Sequence, residues 1–385
     1  MSYDPKQSIP TRFRRGAKST DIVSRNEREL LRIVRLNPGI SRAELTERME
    51  LTQQSVYRLT ESLATRGMLK LGVPRPGTGR GQPSPTIMLN ARYSFSAGIS
   101  VNTDMAGVCL LDFAGNVLLT ELTGIVNRPM RQVLERAKAV IEGGIKSRNL
   151  EPETMFGAGF AITGFLQEET TYNTPLPLHE WSLIELGPLV SELVGRPTWT
   201  GNFANTAAVC ESMLGLGKYI PDFVYLSFDF GFGGAIIANG ELLRGGHGNA
   251  GELSAMFAES ESDKRPALEF LLKNLRENGI EVMSVDDIRR TYDPSWPGID
   301  EWIEQVTPAL NRVVNAVYAV IDPQAIVYGG QIPKELAKRL VSRTEFVRSP
   351  RHGRLMKSPR LLVSELKEDA SSVGAAVLPF KEMFF

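Results

Sequence analysis

The chain has few cysteines, few histidines and no long hydrophobic run. Of its 385 residues, two are cysteine and three are histidine. Cys109 and Cys210 lie in apolar stretches, so we expect buried thiols rather than a disulfide, and a reducing cytoplasmic location. No apolar run approaches the ~20 residues that cross a bilayer. The basic N-terminus lacks the apolar segment of a secretory signal. The length favours a globular protein of two or three domains.

Charge is unevenly distributed, although the net charge is zero. Residues 1–92 carry 17 Lys and Arg against 8 Asp and Glu, whereas residues 93–385 carry 27 against 36. The N-terminal part therefore suits a polyanionic partner. A basic disordered tail would give the same sign of charge. Residues 1–20 predict such a tail, because they are polar, contain two prolines and show no periodicity.

Three amphipathic helices are predicted between residues 21 and 90. The first begins near Asn26 and ends at a Pro-Gly pair that interrupts its periodicity. Ser41 and Glu44 have the spacing of a capping box, which predicts the start of the second helix. The third begins at Thr52 after a short turn. This order is typical of a helix-turn-helix.

The third helix combines a buried stripe with a polar outer face. Val56, Leu59 and Leu63 recur at spacings of three and four residues and form the stripe. Gln and Arg side chains on the opposite face have suitable donors and acceptors for base edges in a major groove. The residues of this helix predicted to contact DNA are Thr52, Gln53, Gln54, Ser55, Tyr57 and Arg58.

A basic loop joins two apolar segments after the third helix. Met68–Leu71 and Thr86–Leu89 predict the two strands of a wing. Arg75 and Arg80, among glycines and prolines, are predicted to enter a minor groove. Residues 21–90 therefore predict a winged helix-turn-helix DNA-binding domain. The alternative is a three-helix packing module with a solvated loop, because helix-turn-helix shapes also occur without DNA.

From Tyr93 onward, strands alternate with helices and glycine-rich turns. Gly157–Ile162 and Phe223–Phe228 predict buried strands that run towards glycines. The order of strand, helix, strand and glycine turn occurs twice, which favours an α/β domain of two related lobes with a cleft between them. We predict lobes at about residues 91–200 and 201–385.

Several motifs together resemble the ROK family of repressors, open reading frames and sugar kinases. These are Gly79-Arg80-Gly81-Gln82-Pro83 in the wing, Gly231–Gly234, Ala250-Gly251-Glu252 and Pro323–Gly330. The resemblance runs from about Asn26 to the end of the chain. It implies a two-lobed actin-like ATPase fold of the sugar-kinase type behind the DNA-binding domain, with a sugar pocket between the lobes.

Departures from the family pattern predict that kinase chemistry is lost. Ser100–Asp104 stands where the family has an Asp-x-Gly-Gly-Thr phosphate loop, and Phe203 stands where it has the catalytic base. The His and Cys ligands of the family's structural zinc are missing after Glu252 and in Glu259–Pro266. We expect no catalytic residue, no cofactor and no metal site.

The resemblance leaves a set of polar residues suited to a sugar. Sugar hydroxyls both donate and accept hydrogen bonds, so amides and carboxylates on rigid turns match them. The predicted effector-binding residues are Thr163, Gly164, Asn202, His247, Asn249, Glu252 and Glu269. Asn202, Glu252 and Glu269 would serve equally as structural capping groups, and a lone His in a glycine loop is more often a cap or solvent-facing.

The sequence thus predicts a cytoplasmic, sugar-responsive transcriptional regulator, and specifically a repressor. A single helix-turn-helix buries little surface, so we expect a homodimer or homotetramer on paired half-sites of operator DNA. One alternative is an active sugar kinase with an appended DNA-binding domain. Another is a constitutive DNA-binding protein whose lobes only dimerise.

Overall fold

Three helices and a three-stranded sheet form the N-terminal module. The computed structural model describes residues 3–15, 21–75, 84–366 and 369–385. The elements of the module are α1 (Arg25–Leu36), β1 (Ile40–Ser41), α2 (Arg42–Met49), α3 (Gln53–Thr65), β2 (Leu69–Arg75) and β3 (Ser84–Leu89). Strand β3 lies between β1 and β2 and is antiparallel to both. The helices and the paired strands were predicted at these places.

Side-chain caps start the helices of the module. Ser41 and Glu44 form the predicted capping box at the start of α2. The Thr52 hydroxyl accepts a hydrogen bond from the Ser55 backbone N–H at 3.2 Å and starts α3. Gly67 follows α3 with a φ of 79°, a left-handed conformation that glycine adopts without steric cost. These local signals mark the starts of α2 and α3 and the end of α3.

The first lobe is built on a five-stranded sheet with the order β10-β7-β4-β5-β6. Its strands are β4 (Phe95–Val101), β5 (Met105–Asp112), β6 (Val117–Gly124), β7 (Met155–Ile162) and β10 (Thr198–Asn202). Helices α4 (Met130–Ser147) and α5 (Leu186–Val194) and a hairpin of β8 (Phe165–Glu168) and β9 (Thr171–Asn173) complete it. Strands β4, β7 and β10 run parallel, so their carboxyl ends meet at one edge of the sheet.

The second lobe repeats this plan with the sheet order β13-β12-β11-β14-β15. The strands are β11 (Phe223–Phe228), β12 (Phe232–Ala238), β13 (Glu241–Leu242), β14 (Ala325–Gly330) and β15 (Arg360–Val363). Its helices are α7 (Leu268–Glu277), α8 (Val285–Thr291), α9 (Ile299–Ile321) and α10 (Lys334–Ser342). No helix in the described ranges, α9 included, is long and apolar enough to cross a membrane.

Two helices connect the lobes, α6 (Phe203–Leu214) and α11 (Ala370–Phe384). Helix α6 packs on β11 and β12 of the second sheet, whereas α11 packs on β4 and β7 of the first. The two helices touch each other so closely that a Cβ atom at Gly374 would overlap the Thr206 carbonyl. The predicted second lobe, residues 201–385, is therefore wrong at its end, because α11 returns to the first lobe.

The N-terminal segment packs against the first lobe. Ile9 and Phe13 are buried, and the Phe13 ring meets the Phe156 ring edge-on at 5.1 Å. The prediction of a disordered tail over residues 1–20 is therefore wrong for residues 3–15. Two isolated apolar side chains give no periodic signal, so the sequence did not reveal that they have a hydrophobic partner. The remaining residues of that predicted tail lie outside the described ranges.

The N-terminal module is joined to the lobes by a continuous core. Buried residues of α1 and α3 belong to the same hydrophobic cluster as those of α6 and α11. Arg28 of α1 donates to the carbonyls of Lys381 and Glu382 at 3.3 and 3.2 Å, and Arg35 donates to the Met213 carbonyl. The module is thus fastened to the ends of the two helices that connect the lobes.

Candidate functional site

A cavity of about 430 Å³ lies between the two lobes. Its walls come from the carboxyl ends of β7, β10 and β11 and from the starts of α6 and α7. Five of the seven residues predicted to bind an effector line it, namely Thr163, Gly164, Asn202, Glu252 and Glu269. The structure therefore brings these five predicted residues together in one cleft.

Asn202 ends β10, caps α6 and orients an acid in the cavity. Its Oδ1 accepts from the backbone N–H groups of Ala204 and Asn205 at 2.8 and 3.1 Å. Its Nδ2 donates to the Gly164 carbonyl at 2.7 Å and to Glu252 Oε1 at 3.2 Å. Both amide atoms are thus engaged with the protein, so Asn202 does have the capping role that the sequence left open. It also holds the Glu252 carboxylate in place.

Two glutamates line the cavity, where each is partly removed from water. Burial raises the pKa of Glu252, opposed by a hydrogen bond from the Ser254 hydroxyl. Burial also raises the pKa of Glu269, opposed by Arg265, whose guanidinium lies 3.7 Å from the carboxylate. Carboxyl groups accept hydrogen bonds from ligand hydroxyls when ionised and can also donate one when protonated.

His247 and Asn249 do not line the cavity. The His247 side chain is exposed on the glycine loop. Asn249 Oδ1 accepts from the Leu166 N–H and its Nδ2 donates to the Leu166 carbonyl, both at 2.8 Å. This paired contact ties the glycine loop of the second lobe to β8 of the first lobe. The structure therefore gives Asn249 a bracing position between the lobes rather than a place in the cavity.

Asp229 lines the cavity and was missed by the sequence analysis. It follows β11 directly, is 7 % exposed, and accepts hydrogen bonds from the Ser227 hydroxyl and from the Gln331 N–H at 3.1 Å. Desolvation raises its pKa to about 7. The sequence signal for Asp229 is an acid at the end of a predicted buried strand, directly before a glycine-rich turn.

The predicted DNA-reading residues lie at the start and along the first two turns of α3. Thr52, Gln53, Gln54, Tyr57 and Arg58 are exposed and Ser55 is partly exposed. Arg42 of α2, which the sequence analysis did not select, places its guanidinium 4.7 Å from the centre of the Tyr57 ring. The Arg75 side chain and the whole of Arg80 lie outside the described part of the chain, so their predicted minor-groove contacts stay predictions.

Comparison with known proteins assigns the lobes to a family. The model of the ROK family matches residues 96–382. The chain belongs to the ROK family. The xylose repressor of Bacillus subtilis is 24% identical over 371 residues, which span 93% of this chain and 95% of that protein. That similarity extends over most of the N-terminal module as well as the ROK lobes.

Solved structures show the two-lobed actin-like ATPase fold of this ROK protein. A ROK transcriptional regulator homologous to the Escherichia coli MLC protein covers 92% of this chain and 95% of its own, with a TM-score of 0.63 and 18% identity. A ROK glucokinase from Streptomyces griseus, with glucose and AMPPNP bound, covers 74% and 99%, with a TM-score of 0.59 and 19% identity. Regulators and kinases share the fold, so it does not by itself decide between them.

In this ROK protein, the position implied for the catalytic base is apolar. Phe203 is 5 % exposed and lines the cavity as the first residue of α6. Asp104, the acid displaced from the first phosphate loop, does not line the cavity. It is buried and accepts from the Val285 N–H of α8 at 3.0 Å. Asp104 is therefore a link between the two lobes, and burial raises its pKa.

The residues do not fit the zinc site of the ROK pattern. Leu253 follows Glu252 in the stretch where the ROK pattern has a zinc-binding histidine. Glu259–Lys264, where the pattern has zinc-binding cysteines, forms a short 3-10 helix without cysteine. Among the described residues, no group of three His, Cys, Asp or Glu side chains is arranged to hold a metal.

Proposed function

We propose that this ROK protein is a sugar-responsive transcriptional repressor. In this proposal the N-terminal module binds operator DNA and a sugar occupies the cavity between the lobes. The observation that carries the proposal is the continuous connection from the cavity, through α6 and α11, to α1 of the module. The similarity of this chain to a xylose repressor over nearly its whole length supports the same conclusion.

The module presents the surface that DNA binding requires. The N-terminal half of α3 exposes Gln53, Gln54 and Arg58, whose side chains match adenine and guanine edges. Tyr57 is 51 % exposed despite its size, and Arg42 holds its ring against the start of α2. The excess of basic residues in the first 92 positions favours approach to the phosphate backbone. We infer that α3 is the recognition helix.

Helix α6 spans the distance from the cavity to the module. It begins at the Asn202 cap, and near its end the Met213 carbonyl accepts from Arg35. An α-helix of 12 residues is rigid over about 18 Å, so movement at one end displaces the other. A ligand that forms a hydrogen bond with Glu252 would therefore also affect Asn202, which bonds to Glu252 and caps the start of α6.

Helix α11 makes a second connection in the same direction. Its cap, Asp369, accepts from the Ser100 hydroxyl at 2.8 Å, two residues before the cavity-lining Asn102. Its last carbonyls, those of Lys381 and Glu382, accept from Arg28. A ligand changes DNA affinity only by its differential affinity for two lobe arrangements, commonly about 1–3 kcal/mol. Both helices would transmit such a rearrangement.

The same cavity argues against phosphoryl transfer. A kinase of this fold needs a carboxylate to accept the proton of the sugar hydroxyl. At the position implied for that base, the Phe203 ring has no proton-accepting group. The ROK kinases among the solved structures share the fold alone with this chain. We therefore propose that the cavity binds its ligand without catalysis, and that the protein acts in the cytoplasm as a homodimer or homotetramer on paired half-sites.

The experiment measures DNA affinity with and without sugar. Operator sequences are selected from random DNA with the full-length protein, and fluorescence anisotropy gives the dissociation constant in the presence of D-xylose, D-glucose or N-acetyl-D-glucosamine. One sugar should change the constant by a factor of about 5–150. A constant that no sugar changes would favour the constitutive DNA-binding alternative. Phosphorylation of any sugar by ATP would restore the kinase alternative.

A further inference from the structure

The charged groups lining the cavity are mostly acidic. Asp229, Glu252 and Glu269 contribute carboxyl groups, and among the described lining residues Arg265 is the only Lys or Arg. We propose that the cavity selects an uncharged, unphosphorylated sugar and rejects sugar phosphates and nucleoside triphosphates. This inference rests on the proposed function, because it specifies the ligand of the same site.

Arg265 is already committed to other groups. Its guanidinium pairs with Glu269 at 3.7 Å, its Nε donates to the Ser262 carbonyl at 3.0 Å, and its plane lies 5.9 Å from the centre of the Phe270 ring. A phosphate dianion at Arg265 would compete with the Glu269 carboxylate for the same guanidinium.

Protein acceptors occupy the N–H groups of both helix ends at the cavity. Free helix N-termini are the usual backbone sites for phosphate. At the start of α6, Asn202 takes the N–H groups of Ala204 and Asn205. At the start of α7, the carbonyls of Asp229 and Phe230 accept from Leu268 and Glu269 at 2.9 and 3.0 Å. The protein therefore supplies its own acceptors at these two helix starts.

Asp229 adds direct repulsion at the glycine-rich turn. Its carboxyl group is held at the end of β11 by Ser227 and Gln331 and cannot turn away without losing both hydrogen bonds. Gly231 and Gly233, which follow it, also line the cavity. A phosphate that approached the backbone of these glycines would meet the Asp229 carboxyl group, which repels an anion whenever it is ionised.

The remaining walls suit a neutral sugar ring. Phe203, Phe230 and Phe232 with two prolines supply apolar surface for the C–H face of a pyranose, and the acids and Thr163 supply acceptors for its hydroxyls. The volume, about 430 Å³, lies near the lower end of the range for small-ligand sites. Apolar faces with acceptor-rich edges match an uncharged sugar and offer no compensation for a dianion.

The test compares each sugar with its own phosphate ester. Isothermal titration of the full-length protein uses D-glucose against glucose 6-phosphate, N-acetyl-D-glucosamine against its 6-phosphate, D-xylose against xylose 5-phosphate, and Mg-ATP. The sugar that binds should bind at least about tenfold more tightly than its ester. An ester that binds as tightly as its parent sugar would overturn this inference alone. Absence of binding by every compound would overturn the proposed function with it.

Two variants locate the source of the discrimination. Asp229→Asn removes the charge at the turn, and Glu269→Gln frees Arg265, so each should raise the affinity for the ester relative to the sugar by about threefold or more. Glu304→Gln is the matched control, because it removes an exposed acid of α9 outside the cavity. If the Asp229→Asn variant does not fold, the Glu269→Gln variant still tests whether the acids of the cavity discriminate against the ester. Sugar-to-ester ratios equal to the control in every folded variant would contradict the proposal.

Discussion

At the scale of single residues, Asp229 makes stability depend on pH. Desolvation raises its pKa from 3.8 to about 7, and the nearby Asp369 adds to this, while the hydrogen bond from Ser227 opposes it. The folded state therefore binds the proton more tightly than the unfolded chain does. The stabilisation from the protonated acid is fully present below the unfolded pKa and is lost as the pH rises through the folded pKa.

The Asp229→Asn variant tests that pH dependence. Because Asn does not titrate, the free energy of unfolding of the wild type should fall relative to the variant between about pH 4 and pH 7, and the difference should level off above about pH 8. Urea denaturation at a series of pH values measures this difference. A difference that is constant over the whole range would show that Asp229 does not hold its proton more tightly in the folded state.

Glu252 and Asn202 should respond differently to substitution, although both line the cavity. Glu252→Gln keeps the shape of the side chain, so it should weaken sugar binding and leave operator affinity without sugar within about twofold. Asn202→Ala removes the α6 cap and should also lower the free energy of unfolding by ~0.5–2 kcal/mol. Titration calorimetry and thermal melting separate the two effects. Unchanged sugar affinity in Glu252→Gln would remove that carboxylate from the site.

The residues of the cavity were predictable to different degrees. Asn202, Glu252 and Glu269 were found because they belong to motifs, whereas Asp229 is held by the backbone of Gln331, which is distant in the chain. Such contacts leave no pattern of spacing. His247 and Asn249 share a motif with Glu252, but the turn of the glycine loop directs them away from the cavity.

At the scale of elements, the contact between Arg35 and α6 carries the proposed coupling. Burial lowers the pKa of Arg35 to about 10, and its side chain reaches the Met213 carbonyl and the Phe385 ring. Arg35→Leu keeps much of the apolar packing and removes the hydrogen bond. We expect sugar affinity to stay within about twofold, while the effect of sugar on DNA affinity falls by a factor of about three or more.

Arg32→Leu on the same helix is the control for Arg35. Arg32 is exposed and pairs with Glu29 within α1, so its loss should leave the coupling unchanged. Anisotropy titrations with and without sugar give the coupling for each variant. Wild-type coupling in Arg35→Leu would mean that the signal does not pass through the end of α6.

The local sequence predicted the strands, helices and caps, but it did not predict which elements pack against each other. The apolar composition of α11 predicts burial without indicating which sheet it covers. Its return to the first lobe depends on Gly98 and Gly159, whose missing side chains permit close contact with the α11 backbone, while Gly374 permits close contact between α11 and α6. Close packing of this kind is set by three-dimensional fit, which one-dimensional periodicity does not encode.

At the scale of the whole molecule, the N-terminal segment stabilises the junction between module and lobes. The Phe13 ring contacts Phe156 of the first lobe and Tyr93 of the linker from the module. Phe13→Ala should lower the free energy of unfolding by ~3–5 kcal/mol. Because one core runs through the module and the lobes, the loss should appear as a lower midpoint of a single transition. An early, separate transition of the module would contradict a shared core.

The central claim, that sugar and DNA sites are coupled, is tested most directly by reciprocity. Linkage requires that operator DNA change sugar affinity by the same factor by which sugar changes DNA affinity. The measurement is isothermal titration of the same sugar into the free protein and into its operator complex. The account predicts two dissociation constants that differ by about 5–150-fold and match the factor from anisotropy. Equal sugar affinity on and off the operator would contradict it.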